Sequence, residues 1–185
     1  GLGFEFPPLG VRFELLEETL QIAHQMFEGE LGTQGQHEGR HFRATRLLNS
    51  PQSISRPRVP IMIGGGGERK TLRLVAQYAD ASNVFGGPES ILRKWQVLRE
   101  HCEAVGRPYE EIERSTLQGT VRLAGVSEDG GGSGGRTVTP SQLVDYYGEL
   151  GDVGVQHVLF SVADVWRTDQ LERIGAEVIE PLRNA

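Results

Sequence analysis

A chain of 185 residues, 37% hydrophobic and 24% charged, lies in the size range of one domain able to bury a substantial core, and its composition carries no general sign of disorder. Nineteen Lys and Arg against 25 Asp and Glu leave a net charge of −6, so no global basic field exists to attract a nucleic-acid backbone, and nucleic acid is not an expected partner. The single cysteine, Cys102, excludes an internal disulfide and gives no support to a thiolate metal site, which fits a reducing, cytoplasmic setting.

No run approaches the ~18 apolar residues expected of a membrane span. The first ten residues lack the basic start and apolar centre of a secretory signal. The sequence opens on Gly1, and Phe4 to Pro8 has the character of a loop between elements, an opening expected in the middle of a fold.

Arg12 to Phe27 carries apolar residues at Leu16, Leu20, Ala23 and Phe27, a helical period with one buried stripe. Gly29 to Phe42 is polar and glycine-rich, and Arg40 to Leu48 reads as a short extended excursion before the Pro51 to Pro60 connection. Val59 to Ile63 is a short apolar run ending in four glycines, the pattern of a strand buried on both faces. A helix over Glu68 to Ala79 follows, with Leu72, Val75, Ala76 and Ala79 on one face.

Ala81 to Phe85 reads as the second strand of this series, and Pro88 after Gly86 and Gly87 suits the first turn of a helix. That helix should bury Ile91, Trp95, Leu98, Cys102 and Val105 and stop at Gly106. Ser115 to Ala124 is a third strand in which Gly119 marks a bulge or a close backbone approach. Five glycines around Ser133 make Ser127 to Arg136, extending to about residue 138, a flexible loop. Thr139 and Pro140 start a helix with Leu143, Tyr147 and Leu150 as its stripe. Val155 to Val162 is the fourth strand, and a last helix carries Leu171, Ile174, Val178 and Leu182 inward.

One helix followed by four strand–helix units implies an α/β protein with parallel strands and right-handed crossovers. Four units fit either a small open sheet or half of an eight-unit barrel, and a complete barrel needs about 250 residues.

Two segments could carry chemistry. Gly64, Gly65, Gly66 and Gly67 stand between a strand and a helix that opens on Glu68, Arg69 and Lys70; glycine backbone N–H groups at a helix start make an anion site suited to phosphate. The competing explanation is a tight strand-to-helix turn. A dinucleotide fingerprint fails because Arg69 occupies its third glycine position, and no Gly-Lys-Ser or Gly-Lys-Thr follows to make a P-loop. Asn83, Val84, Phe85 and Gly86 lie at the end of the next strand, where ligands collect in parallel α/β folds. Here too Phe85 can be core and Gly86 with Pro88 only a turn.

The five histidines, His24, His37, His41, His101 and His157, form no metal or catalytic spacing, and no acid–base pair stands out among the carboxylates. Metal binding is not expected, Cys102 reads as packing, and Asp80 reads as a turn cap.

Arg58-Val59-Pro60-Ile61-Met62-Ile63-Gly64-Gly65-Gly66-Gly67, with Thr71 to Ala76 and Tyr78-Ala79-Asp80, resembles the luciferase-like monooxygenase family, particularly its branch using the deazaflavin coenzyme F420. Phe6 to Gly10, Leu16-Glu17-Glu18, His101 to Arg107 and Glu110 to Glu113 extend the likeness, which is good over Gly3 to Leu123 and rests on element order thereafter. The resemblance implies a (β/α)8 barrel represented over residues 1–185 by its C-terminal four strand–helix units. It implies an oxidoreductase acting on a small organic molecule with F420, or alternatively FMN, as cofactor. It also implies that Gly64 to Gly67 and Asn83 to Gly86 cradle the phosphate and ribityl tail. It assigns no catalytic residue, because the polar groups beside the hydride-transfer carbon come mainly from the first four units. A noncatalytic remnant and pairing of like halves into a homodimer are further expectations of an open half-barrel.

Overall fold

The computed structural model describes residues 3, 5–28, 35–126 and 135–184. Most of the glycine-rich loop expected over Ser127 to Arg136 lies outside the described residues.

Helix α1, Leu9–Glu28, begins at Leu9 rather than Arg12. Leu20 is its buried anchor, whereas Leu16 is exposed. The extended excursion expected at Arg40 to Leu48 is one arm of a hairpin. β1, Gly35–Glu38, pairs antiparallel with β2, Arg43–Leu47. Gly-Gln-His-Glu has no apolar alternation to announce a strand, so the hairpin is defined by what grips its turn. Glu18 on α1 accepts backbone N–H bonds from Arg40 (2.8 Å), His41 (3.1 Å) and Phe42 (2.8 Å), and the His37 ring lies 3.5 Å away. Partial burial opposes its charge, but the backbone bonds and the His37 ring outweigh that penalty and hold the Glu18 carboxyl below its usual range.

β3, Met62–Gly64, leads into α2, Thr71–Tyr78; β4, Ala81–Val84, leads into α3, Pro88–Val105; β5 spans Glu113–Leu123. β6, Arg136–Val138, precedes α4, Pro140–Asp152, and β7, His157–Val162, precedes a C-terminal helical segment. β3, β4, β5 and β7 lie side by side in chain order, all parallel. Parallel neighbours in sequential order with right-handed crossovers place their helices on the same side of the sheet. β6 departs from the expectation of a loop reaching residue 138. Arg136 pairs with Val121 and Val138 with Leu123, so the end of the glycine-rich segment is held by the unusually long β5.

The bulge expected at Gly119 is present. Leu117 pairs with Leu159 and Thr120 with Ser161, so β5 spends one residue more than β7 over that interval.

The core lies between this sheet and its helices. Leu72, Val75, Ala76 and Ala79 are buried as their spacing requires, as are Ile91, Trp95, Leu98 and Cys102 from α3 and Leu143, Tyr147 and Leu150 from α4. Burying a Leu or Ile side chain of this kind contributes about 1.5–3 kcal/mol. Val105, at the last position of α3, remains exposed where Gly106 turns the chain away in a left-handed conformation (φ 70°).

The final helix is three consecutive segments: α5 (Thr168–Ile174), a π-helical turn (Gly175–Ile179) and α6 (Glu180–Arg183). Ile174 and Val178 are buried, but Leu171 is exposed and Gln170 occupies the inward position. Its Oε1 accepts the Leu123 N–H at 2.9 Å and its Nε2 donates to the Ala163 carbonyl at 2.6 Å. A polar side chain is favoured there because it satisfies backbone groups at the ends of β5 and β7.

The opposite face of the sheet is open. Register places Gly64, Asn83, Ser115 and His157 in one row on that face, and Leu117 beside Leu159 two residues further on. Met62, Leu117 and Leu159 are exposed, although two of them lie mid-strand. Among the described residues, β3 and β7 each pair on one side only.

Candidate functional site

The two glycine segments read from the sequence meet at the C-terminal ends of β3 and β4. Gly64 pairs with Asn83 in the ladder, and the Gly65 N–H donates to the Asn83 carbonyl at 2.8 Å. Gly65 (φ 122°) and Gly86 (φ 129°) have backbone conformations that L side chains rarely adopt, so both turns depend on glycine. Among the described residues, the Gly66 and Gly67 N–H groups have no acceptor. Donors left free on adjacent residues can converge on an anion.

α2 does not open at Glu68. Glu68 to Lys70 form a turn and the helix starts at Thr71, with Lys70 as a cap lacking a side-chain bond. The Leu72 N–H donates back to the Gly67 carbonyl at 3.1 Å. The helix start is therefore displaced from the glycines by three residues, and its partial charge acts on the site at longer range.

A side chain absent from the sequence reading supplies a full charge instead. Lys94, one turn and a half into α3, extends back to the junction of the two loops. Its Nζ donates to the Phe85 carbonyl at 2.7 Å and to Ser90 Oγ at 2.9 Å. A Cβ placed on Gly66 would stand 2.6 Å from Lys94 Cε, and one on Gly86 would stand 3.5 Å from Lys94 Nζ. The ammonium thus lies between both glycine turns, and only glycine at 66 leaves its present path clear. Neither the apolar stripe of α3 nor any motif marks Lys94; only the fold brings it under β4.

The second loop is braced from β5. Gln118 Nε2 donates to the Gly86 carbonyl (3.1 Å) and to Thr116 Oγ1 (2.9 Å), while Tyr146 Oη donates to Gln118 Oε1 (3.0 Å). Thr116 Oγ1 donates in turn to the Val84 carbonyl at 2.8 Å. Asn83 is on the open face of the sheet, where its Nδ2 donates to Ser115 Oγ (2.9 Å), and that hydroxyl donates to the Ser82 carbonyl (3.0 Å). Val84 is buried on the helix side, while Phe85 is half exposed. Gly64 to Gly67, Asn83, Phe85 and Gly86 are therefore brought to one mouth, and Val84 supports it from the core.

The remaining candidates have structural roles. Asp80 binds Arg58 in a two-pronged pair, Nη2 to Oδ1 at 2.8 Å, and accepts the Ile61 N–H at 2.7 Å, fixing the entry to β3. His157 faces Glu113 at 3.2 Å at the start of β7, three strands across the sheet from Gly64 in the same row. Burial pushes the Cys102 thiol up, which leaves it protonated and unreactive. Arg122 and Asp164 form a buried pair (3.0 Å) where β5 and β7 end, and sequence reading missed it because neither stands in a motif. Among the described residues no cluster of three or more His, Cys, Asp or Glu could hold a metal ion. No described helix is long and apolar enough to cross a membrane.

The profile of the luciferase-like monooxygenases matches residues 4–127. The chain belongs to this family. Among curated proteins, no sequence matches significantly. Solved structures of similar fold include a riboflavin lyase with modified FMN and riboflavin, at 12% identity and a TM-score of 0.78, covering 98% of this chain and 59% of that one. They also include the F420-dependent tetrahydromethanopterin reductase of Methanopyrus kandleri (17% identity, TM-score 0.72, covering 92% and 63%). A third is an F420-dependent secondary alcohol dehydrogenase with an F420–acetone adduct (12%, 0.72, 87% and 59%). The chain spans about three-fifths of the length of these structures. As a luciferase-like protein it has the parallel α/β fold of the (β/α)8 barrels, and β3, β4, β5 and β7 are four consecutive barrel strands. The row containing Asn83, Ser115 and His157 is then barrel interior, and the glycine mouth stands at the C-terminal end of the strands, where barrel active sites form.

Proposed function

We propose that this luciferase-like chain holds the phosphate end of coenzyme F420 and contributes to an oxidoreductase that transfers hydride to or from a small organic substrate. The observation that carries the reading is the meeting of the Gly64 to Gly67 and Asn83 to Gly86 segments with the Lys94 ammonium between their two turns. A phosphate ester fits it chemically: two N–H groups without an acceptor among the described residues adjoin one cation, and a Cβ at Gly66 would stand 2.6 Å from that lysine's Cε. F420 is favoured over FMN by the resemblance around Arg58 to Gly67, and F420-dependent proteins are among the solved structures of the same fold. When bound, the coenzyme supplies the hydride-carrying carbon. The chain's own residues hold one end of it: Lys94 and the glycine amides fix the phosphate, and Gln118 with Tyr146 keeps the second loop in place.

Turnover requires the open sheet face to be enclosed, because a hydride-transfer site works only when water is excluded. Four further strand–helix units would close β3 and β7 into a barrel and cover Met62, Leu117 and Leu159. Residues 1–185 studied alone should self-associate at those edges, with β7 of one copy pairing β3 of another. Titration of residues 1–185 with F420 and with FMN, followed by coenzyme fluorescence, tests the cofactor assignment. F420 should bind about tenfold more tightly than FMN. Preference for FMN, with oxygen-dependent turnover once the barrel is complete, would make the protein a flavin monooxygenase instead.

A further inference from the structure

β7 ends at Val162, and the chain turns through Ala163, Asp164, Val165 and Trp166 before α5 starts at Thr168. The parallel order of β3, β4, β5 and β7 puts this turn on the same rim of the sheet as the glycine loops, the rim where barrel active sites form. The turn is anchored at four points. The Ala163 N–H donates to the Val121 carbonyl at 2.8 Å, and the Arg167 N–H closes the turn on the Asp164 carbonyl at 2.9 Å. Gln170 Nε2 donates to the Ala163 carbonyl, and Arg122 Nε and Nη2 donate to Asp164 Oδ2 at 3.1 and 3.0 Å.

This anchorage is costly. Among the described residues Asp164 is the one non-glycine residue with a left-handed backbone (φ 53°), which strains an L side chain. Asp164 Oδ1 is buried with no hydrogen-bond partner, and a buried ion pair is often no more stable than an apolar pair in its place. What the costly arrangement fixes is the presentation of two apolar side chains: Val165 is 55% exposed and Trp166 67%. The other tryptophan, Trp95, is buried in the core, as so large an apolar side chain usually is.

Among the described residues, the ring–ring and cation–ring contacts all involve other aromatic side chains, so the faces of Trp166 are unoccupied by either. The charges of the turn are paired, Arg122 with Asp164 and Arg167 with Asp169. Thr120 and Ser161, opposite one another across β5 and β7 on the open face, add uncharged hydroxyls just before the turn, and half-exposed Phe85 stands at the end of β4. A flat indole held in place among paired charges and hydroxyls suits a planar, uncharged ring, because aromatic pairs gain from stacked or edge contact beyond the area they bury. We infer that Trp166 is a specificity-determining residue: its indole forms one wall of the substrate pocket and favours substrates carrying an uncharged aromatic ring over saturated molecules of the same size. The inference rests on the reading that hydride transfer takes place at this rim.

The test uses residues 1–185 and two probes of one carbon skeleton, 2-naphthol and its saturated counterpart decahydro-2-naphthol. Each is titrated while the indole N–H resonances of Trp95 and Trp166 are followed, the latter assigned by its loss in Trp166→Phe. 2-Naphthol should move the Trp166 resonance along one saturable curve, leave Trp95 in place, and bind about fivefold more tightly than the saturated probe. Trp166→Phe should keep a preference of about twofold or more, and Trp166→Leu should bind the two probes alike. Trp166 is exposed, so both variants should fold, which an unchanged Trp95 resonance verifies. Equal affinity of the wild-type chain for the two probes would overturn the inference. A preference that survives Trp166→Leu, saturation with the Trp166 resonance unmoved, or no binding of either probe would do the same. Titration of the same samples with F420 and FMN tests the coenzyme reading separately. Coenzyme bound without an aromatic preference would overturn Trp166 alone, whereas an aromatic preference at Trp166 without coenzyme binding would support the aromatic wall and overturn the phosphate mouth.

Discussion

Gly66→Asp should weaken binding of the coenzyme by about 30- to 150-fold, equivalent to about 2–3 kcal/mol. The new Cβ would enter the space occupied by Lys94 Cε, 2.6 Å away, and the carboxylate would then compete with phosphate for the same ammonium. Repulsion between two anions adds to the loss of the amide contacts. The fold should survive, because Gly66 is not in the left-handed region and the atom it meets is the flexible end of a lysine. Gly66→Ala separates shape from charge and should cost less. Comparison of both variants with wild type by coenzyme fluorescence, with circular dichroism to confirm folding, measures the effect. Unchanged affinity in a folded Gly66→Asp protein would take the glycine loop out of the site.

Lys94→Met retains the length of the side chain and removes its charge. Affinity for either cofactor should fall about tenfold, the scale of one charge-assisted hydrogen bond, about 1.5 kcal/mol. Part of the loss would come from the Phe85 carbonyl and Ser90 Oγ, which Lys94 Nζ holds at 2.7 and 2.9 Å. A purely structural role for Lys94 would leave the salt dependence of binding untouched. The direct contact proposed here requires the affinity of the variant to respond less to added salt than that of wild type. The measurement is a titration with FMN at low and high ionic strength for both proteins.

Much of the fold was legible because its signals are periodic. The α2 set of Leu72, Val75, Ala76 and Ala79 and the α4 set of Leu143, Tyr147 and Leu150 are buried as read, since a one-sided helix has only one stripe to offer a core. Gly119 announced a bulge because a strand interior has little other use for glycine. What failed was decided by tertiary contacts. β1 is polar and is held by the Glu18 carboxylate, which lies 22 residues from Arg40 in the chain. β6 exists because β5 is long enough to pair with it beyond the end of β4. Gln170 replaced Leu171 at the inward position because two backbone groups there require partners.

The site divides in the same way. Gly64 to Gly67 and Asn83 to Gly86 stand out in one dimension, since the backbone geometry of such turns depends on glycine. Lys94, Gln118 and Tyr146 are separated from those segments in sequence and belong to elements whose patterns show only helix and strand. Their contribution depends on the parallel order of β3, β4 and β5, which brings α3 beneath one loop and the bulged middle of β5 beside the other.

The central claim is that the glycine loops and Lys94 form one anion site within this chain, and amide chemical shifts of residues 1–185 test it most directly. Titration with FMN and then F420, up to on the order of 10 mM to reach weak affinities, should move the resonances of Gly66, Gly67, Gly86 and Gly87 together along one binding curve. Saturation of the titration with those four resonances unmoved, or with the shifts confined to Ala81 and Glu113 at the N-terminal ends of β4 and β5, would contradict it.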